Sequence, residues 1–217
     1  MFAVVLDFDG TILDTETPAY ESHRRFFGEH GVALTVDEWC TCIGTIQPET
    51  HWFDWLCERA AAAPSFERFR AATLAYYRER VRPEPMPGIL ALLDALDDAG
   101  IPRAIGSTAP ADWVLESLAE LRLADRFPIV VTGDQVARFK PAPDVYLEAA
   151  RRLGMPPSRC IAIEDSGPGL TSARAAGMRT IAIPHPLNRT HDLAADLSVS
   201  SATELDVERL RALARAE

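Results

Sequence analysis

Five short runs in this chain are apolar on both faces, and this constrains the fold more than any other feature. They are FAVVLDF (2–8), RAIGS (103–107), PIVVTG (128–133), CIAIED (160–165) and RTIAIP (179–184). Side chains alternate across a strand, so a strand with one wet face alternates apolar and polar residues. Runs without that alternation suit a parallel sheet covered on both sides. Helical patterns separate them, at 87–100, 111–123, 143–154 and 169–177. The first has leucines at helical spacing and ends in Gly100, a helix-stop signal. Alternating strand and helix predict an α/β fold with a doubly wound, Rossmann-like parallel sheet. The tail, SVSSATELDVERLRALARAE, offers an edge strand and a last helix with serine or threonine as its N-cap.

One stretch breaks the rhythm. From about Thr17 to Pro83 there is no strand pattern, and AYESHRRFFGEHG, VDEWCTCIG, ETHWFDWLCERAAAA and FERFRAATLAYYRERV all read as amphipathic helices. The proline-rich RPEPMPG (82–88) suits a stiff linker. The expected organisation is a core of residues 1–15 and 84–217 with a helical insert at 16–83. The aromatics of the insert (Trp39, Trp52, Trp55, Tyr76, Tyr77) are expected mainly in its own core, and Arg24 and Arg25 on a solvated helix face.

Composition narrows the function. Acidic residues outnumber basic ones by ten, which disfavours a nucleic-acid or anionic-membrane partner. No apolar run approaches the ~20 residues of a membrane-spanning helix. The opening MFAVVLDFDG lacks a basic leader and meets two aspartates early, so it reads as a buried strand rather than a signal peptide. The cysteines Cys40, Cys42, Cys57 and Cys160 suit buried thiols, and a cytoplasmic setting is expected.

Ligands of open α/β sheets bind beyond the carboxyl ends of the strands. There the first run ends LDFDGT, with Asp7 and Asp9 two residues apart, hence on one side of an extended chain, and Gly10 able to turn. A second ends GSTAP, placing Ser107 and Thr108 at a strand-to-helix junction whose free N–H groups bind anions. Another ends IEDSGPG, with Glu164 and Asp165. Four carboxylates in one crevice repel one another unless a hard cation with oxygen ligands joins them, and Mg2+ is the natural candidate. Lys140 stands nearby in ARFKPAPDVY. It is the single lysine among 22 basic side chains. As a compact point charge, an ammonium suits a crowd of oxygens better than the broad guanidinium fork. Cation and lysine together could hold a phosphate dianion that an acidic protein otherwise repels. A carboxylate attacks phosphorus competently, and a second carboxyl can protonate the leaving oxygen and later activate water. N–H groups near Gly10 and the Ser107 hydroxyl could bind the phosphoryl oxygens.

With DFDGT (7–11), Ser107, Lys140 in KPAPD and EDS (164–166) in this order, the whole chain resembles the haloacid dehalogenase superfamily. Its insert resembles the small helical cap of the β-phosphoglucomutase-like phosphatases. The resemblance implies Asp7 as nucleophile and Asp9 as general acid/base. It implies Mg2+ held by Asp7, the Asp9 carbonyl and Asp165, with Glu164 helping directly or through water. Ser107, Thr108, Gly10 and Lys140 would hold the phosphoryl group. Segments 14–18 and 82–87 would be hinges. Asp9 points away from dehalogenases, and the lack of a cap lysine excludes the usual phosphonate-cleaving chemistry. Mutases of the β-phosphoglucomutase type carry a hinge histidine and basic cap-loop residues. Ala19, Ile43 and Gln47 stand in those places here, with His23 one turn after Ala19. Thr11 is typical of the phosphatases. The expected function is therefore hydrolysis of a small phosphorylated metabolite, by a monomer or weak dimer. A phosphomutase and a non-catalytic binding module are the alternatives.

Overall fold

The apolar runs form strands only over the residues that find partners in neighbouring strands. The computed structural model describes residues 1–44, 48, 50–81, 84–188 and 193–215. Along the chain come β1 (Ala3–Leu6), α1 (Glu16–Glu29), α2 (Val36–Cys40), α3 (His51–Cys57), α4 (Phe66–Arg80), α5 (Ile89–Asp98), β2 (Arg103–Gly106), α6 (Ala111–Glu120), β3 (Val130–Val131), α7 (Asp144–Leu153), β4 (Cys160–Glu164), α8 (Gly167–Ala175), β5 (Arg179–Ala182), β6 (Leu197–Ser198) and α9 (Val207–Arg215). They divide into two compact units, 1–13 with 83–217, and 14–82.

The first unit is built on a parallel sheet of order β3-β2-β1-β4-β5-β6. The chain winds outward from β1 to one edge, then returns to the other side of β1 with β4. That reversal makes the carboxyl end of β1 the topological switch point, where such sheets open a crevice. β1 and β4 are the central pair, in register from Ala3↔Cys160 to Leu6↔Ile163. Their alternate residues enter two separate cores. Val4, Leu6, Ile161 and Ile163 join one cluster, with Leu92, Leu93 and Leu96 of α5, Val114 and Leu118 of α6, and Leu210 of α9. Ala3, Val5, Cys160 and Ala162 join the other, with Val145, Tyr146, Ala149 and Ala150 of α7 and Ala173 of α8. Burying each large apolar side chain stabilises the fold by about 1.5–3 kcal/mol, which is why both faces are covered.

The strands are shorter than their apolar runs. β3 has two residues of the six-residue PIVVTG because it is an edge strand paired only to β2, and Pro128 has no N–H for a ladder. The last helix is not capped by serine or threonine. Asp206 does this, its Oδ1 accepting the Arg209 N–H at 2.7 Å, while Ser201 caps a preceding short turn.

The second unit contains α1 to α4, with α1 and α4 packed together. Thr35 and Glu38 form a reciprocal capping box that starts α2. Aromatic stacking fills the interior: Trp39 on Trp52 at 4.9 Å and Phe27 on Trp55 at 5.4 Å between centroids. Trp39 is buried, whereas Trp52, Trp55, Tyr76 and Tyr77 keep part of their surface. Arg24 and Arg25 are exposed and pair with Glu21 and Glu79. His23 sits against Trp39 and Phe69, and its Nδ1 lies 2.8 Å from the Ala19 carbonyl, so Nδ1 carries the proton. Cys40 and Cys160 are buried, whereas Cys42 and Cys57 are only half-buried rather than buried as expected. Of the expected hinge 82–87, residues 82 and 83 lie outside the described residues, as does Gln47.

Burial pushes the His23 pKa down to about 4, against an ordinary 6.5. The unfolded chain therefore takes up a proton below pH 6.5 that the folded chain refuses until about pH 4. Stability contributed by the neutral ring is present above pH 6.5 and lost as the pH falls toward 4. The full span is about 2–3 kcal/mol. The urea midpoint of wild type should fall relative to that of His23→Leu as the pH drops from 7 to 4. Parallel curves would show that His23 is not buried neutral.

Candidate active site

Asp7 follows β1 directly, and its N–H donates to the Ile163 carbonyl at 3.0 Å, so the β1–β4 ladder continues through its backbone. The alternation also continues. Phe8 joins Leu6 in one core, and Asp7 falls on the side of Val5, toward α7 and α8. The buried Asp7 carboxylate there meets Lys140, which precedes α7. The Lys140 Nζ donates to Asp7 Oδ1 and, at 2.7 Å, to Glu164 Oε1. Its ammonium also lies 5.1 Å from the centre of the Tyr146 ring.

Glu164, at the end of β4, is fully buried and held by three donors. Lys140 and the Tyr146 hydroxyl, the latter at 2.5 Å, share Oε1, and the Ser166 hydroxyl donates to Oε2 at 3.0 Å. Ser166 also N-caps α8 by accepting the Gly169 N–H at 3.2 Å. Two carboxylates hold this one ammonium, and a third is close to them: an oxygen each of Asp7, Glu164 and Asp165 lie within 4.8 Å of one another. Burial raises the pKa of Asp7 above the carboxylate range; Lys140 opposes this, and Glu164 and Asp9 add to it. Burial works against the Lys140 charge, but Asp7 and Glu164 outweigh it and hold the ammonium's pKa above its usual range. Burial, then the charge of Glu164, raises that of Tyr146, which keeps its hydroxyl a donor.

Two glycines make room for these carboxylates. At Gly10 φ is +80°, and a Cβ there would lie 2.1 Å from Asp165 Oδ2. The Gly10 N–H donates to the Leu13 carbonyl at 2.8 Å. Gly10 thus contributes conformation and space to the site. At Gly169 a Cβ would lie 2.0 Å from the Glu164 carboxyl carbon. Gly10 of DFDGT and Gly169 of EDSGPG are required by the carboxylates beside them.

Asp9 is half-buried, and its Oδ1 accepts the indole N–H of Trp113 at 2.9 Å. Its side chain is therefore turned to α6 and lies outside the three-carboxylate cluster, although its charge still acts on Asp7. Ser107 is buried just past β2. The register Leu6↔Ile105 puts it one residue beyond the level of Asp7 on the adjacent strand. Its hydroxyl accepts the Ala109 N–H at 3.0 Å and shapes the loop into α6. Thr108 is half-buried in that loop.

The donor set fits a hard divalent cation. Asp7, Glu164 and Asp165 offer oxygen ligands only, and their negative charge exceeds what Lys140 balances. Glu164, with both oxygens already hydrogen-bonded, suits an outer role better than a direct one. Two histidines are employed elsewhere: His23 among the aromatic rings, and His51 at the start of α3 with Nε2 3.3 Å from Cys42 Sγ. Ile43 is buried.

Two contributors escape sequence reasoning. Tyr146 looks like a core aromatic of α7, and only its spacing after Lys140 signals that both face one crevice. Trp113 lies 104 positions from Asp9, and nothing local connects them.

The model of the haloacid dehalogenase-like hydrolase family matches residues 4–183. The phosphorylated carbohydrates phosphatase of Thermotoga maritima is 32% identical over 87% of this chain and 88% of its own length. Among solved structures, that of CbbY from Rhodobacter sphaeroides in complex with phosphate superposes with a TM-score of 0.76, at 27% identity, over 97% of this chain and all of its own. A CbbY variant in complex with xylulose-1,5-bisphosphate gives 0.72 at 27% identity over 94% of this chain and 96% of its own.

Gly169→Ala would press a methyl group on a carboxylate that three hydrogen bonds prevent from moving. We expect a loss of roughly 1–3 kcal/mol in chemical denaturation. An unchanged midpoint would show that Glu164 is not locked.

Proposed function

The chain belongs to the haloacid dehalogenase-like hydrolase family, and from that premise we propose that it is a phosphatase acting on a small phosphorylated sugar through an aspartyl-phosphate on Asp7. The observation that carries this reading is the buried Lys140 ammonium, hydrogen-bonded to Asp7 and Glu164 beside Asp165. The relatives' names favour a phosphorylated carbohydrate as the substrate class.

In this mechanism Asp7 attacks phosphorus, and the ester P–O bond breaks. Asp9 gives its proton to the departing alkoxide. Asp9, now a carboxylate, takes a proton from water as the water oxygen attacks the aspartyl-phosphate, releasing phosphate and restoring both aspartates. Lys140 neutralises charge on the phosphoryl oxygens, and the fixed Glu164 sets where its ammonium points. Ser107 and the N–H groups of the loop through Thr108 orient the phosphoryl group. Asp7, Asp165 and the Asp9 carbonyl would hold Mg2+, with Glu164 behind them. When bound, the ion supplies positive charge against the phosphate dianion. The inserted helical unit (16–83 by the sequence reading) acts as the cap. A mutase is disfavoured because a buried Ile43 replaces a basic cap-loop residue and His23 is enclosed among aromatic rings.

Asp7→Asn should abolish hydrolysis of p-nitrophenyl phosphate and of a panel of sugar phosphates, measured with Mg2+ present. Wild-type turnover by that variant would refute the nucleophile. Lys140→Arg should lose at least ~10-fold in kcat, about 1.4 kcal/mol, since the fork cannot replace a point donor between two carboxylates. A wild-type rate would make the lysine incidental. Chelation should remove the activity and Mg2+ restore it; activity in excess chelator would exclude the metal.

A further inference from the structure

We propose that Trp113 is a positioning residue for Asp9: its indole N–H holds Oδ1, so that the proton exchanged with the leaving group travels through Oδ2. This rests on the acid/base role proposed above for Asp9.

The contact is 2.9 Å long and joins residues 104 positions apart. Trp113 stands in the first turn of α6, half-buried, with its ring packed against the core cluster of Leu6 and Phe8. The loop that carries Ser107 also places this helix. The Ser107 hydroxyl accepts from Ala109, the Ala109 carbonyl accepts from Gly133 at 3.0 Å, and Asp134 Oδ1 accepts the Ala111 N–H at 3.1 Å. One anchored loop thus sets both a proposed phosphate ligand and the donor to Asp9.

An indole N–H donates and cannot accept. The oxygen it holds must therefore be an acceptor, in the carboxylate and in the carboxylic acid alike. The carbonyl oxygen of a carboxylic acid is a better acceptor than its hydroxyl oxygen, so when Asp9 is protonated the indole favours the O–H on Oδ2. In the first half-reaction that proton moves from Oδ2 to the ester oxygen as the P–O bond breaks. In the second, Oδ2 takes a proton from the attacking water. Without the indole donor that preference for Oδ2 is lost. The plainer role for Trp113 is core packing, with Asp9 a convenient acceptor for a half-buried N–H. The two roles differ in which substrates suffer.

Trp113→Phe keeps the aromatic packing and removes the donor. An alkoxide needs a proton to leave, whereas p-nitrophenolate departs without one. We expect kcat/KM to fall about tenfold on a sugar phosphate and less than about twofold on p-nitrophenyl phosphate, a fraction of what a general acid contributes. Equal losses on both, or none, would overturn the proposal. The contact is also tested without altering Trp113. Its indole resonance, assigned in the wild type by 15N-resolved NMR, should move upfield in Asp9→Ala; an unmoved resonance would overturn the proposal. A wild type inactive on both substrates would overturn the phosphatase reading, and this inference with it.

Discussion

One buried ammonium between two carboxylates organises this molecule. Lys140 donates to Asp7 at the end of β1 and to Glu164 at the end of β4, with Asp165 alongside. Burying like charges together is costly, and a single cation does not balance three carboxylates. Such an arrangement is a poor source of stability. It persists because the rest of the fold constrains each member: Tyr146 and Ser166 hold Glu164, Gly169 and Gly10 leave space for acid groups, and the β1–β4 ladder sets the separation of the strand ends. The remaining negative charge suits a hard cation, and the combined positive charge suits a phosphate dianion.

Sheet topology explains why these groups meet. The winding reverses at β1, so β1 is flanked by β2 and β4, and the polar residues after all three strands share one edge. Alternation assigns the side of Asp7, but the expected same-side placement of Asp9 fails because the chain bends at Phe8 and leaves the extended conformation. Asp7 follows Val5 toward the α7 and α8 layer, where Lys140 and Tyr146 approach, and Trp113 reaches Asp9 from α6. Two covered faces thus deliver different partners to two aspartates separated by one residue.

Much of this was legible in the sequence because the signals were local. Runs apolar on both faces announced a parallel sheet, and polar residues at the ends of two of them marked the edge where Asp7, Glu164 and Asp165 gather. The break in rhythm placed a helical insert at 16–83, and α1 to α4 lie in a compact unit of residues 14–82. Long-range contacts were not legible. Neither the Trp113 donor to Asp9 nor the Lys140 and Tyr146 hydrogen bonds on Glu164 leave a local pattern. Glycine looked like turn chemistry, but at position 169 its reason is a carboxylate from the preceding strand. Propensity also misled at α9, where serines and threonines were plausible caps and Asp206 lay closer to the helix. Strand lengths were overestimated because apolarity reports burial, whereas a strand also needs partners.

The central claim is that the carboxylate held by Lys140 is the group that becomes phosphorylated. The most direct measurement is an acid quench during turnover with Mg2+, followed by mass spectrometry of the proteolysed chain. The account predicts a phosphoryl group on Asp7 that vanishes when substrate is exhausted. A phosphoryl group on Ser107 instead, or turnover with no covalent species at any time, would contradict it.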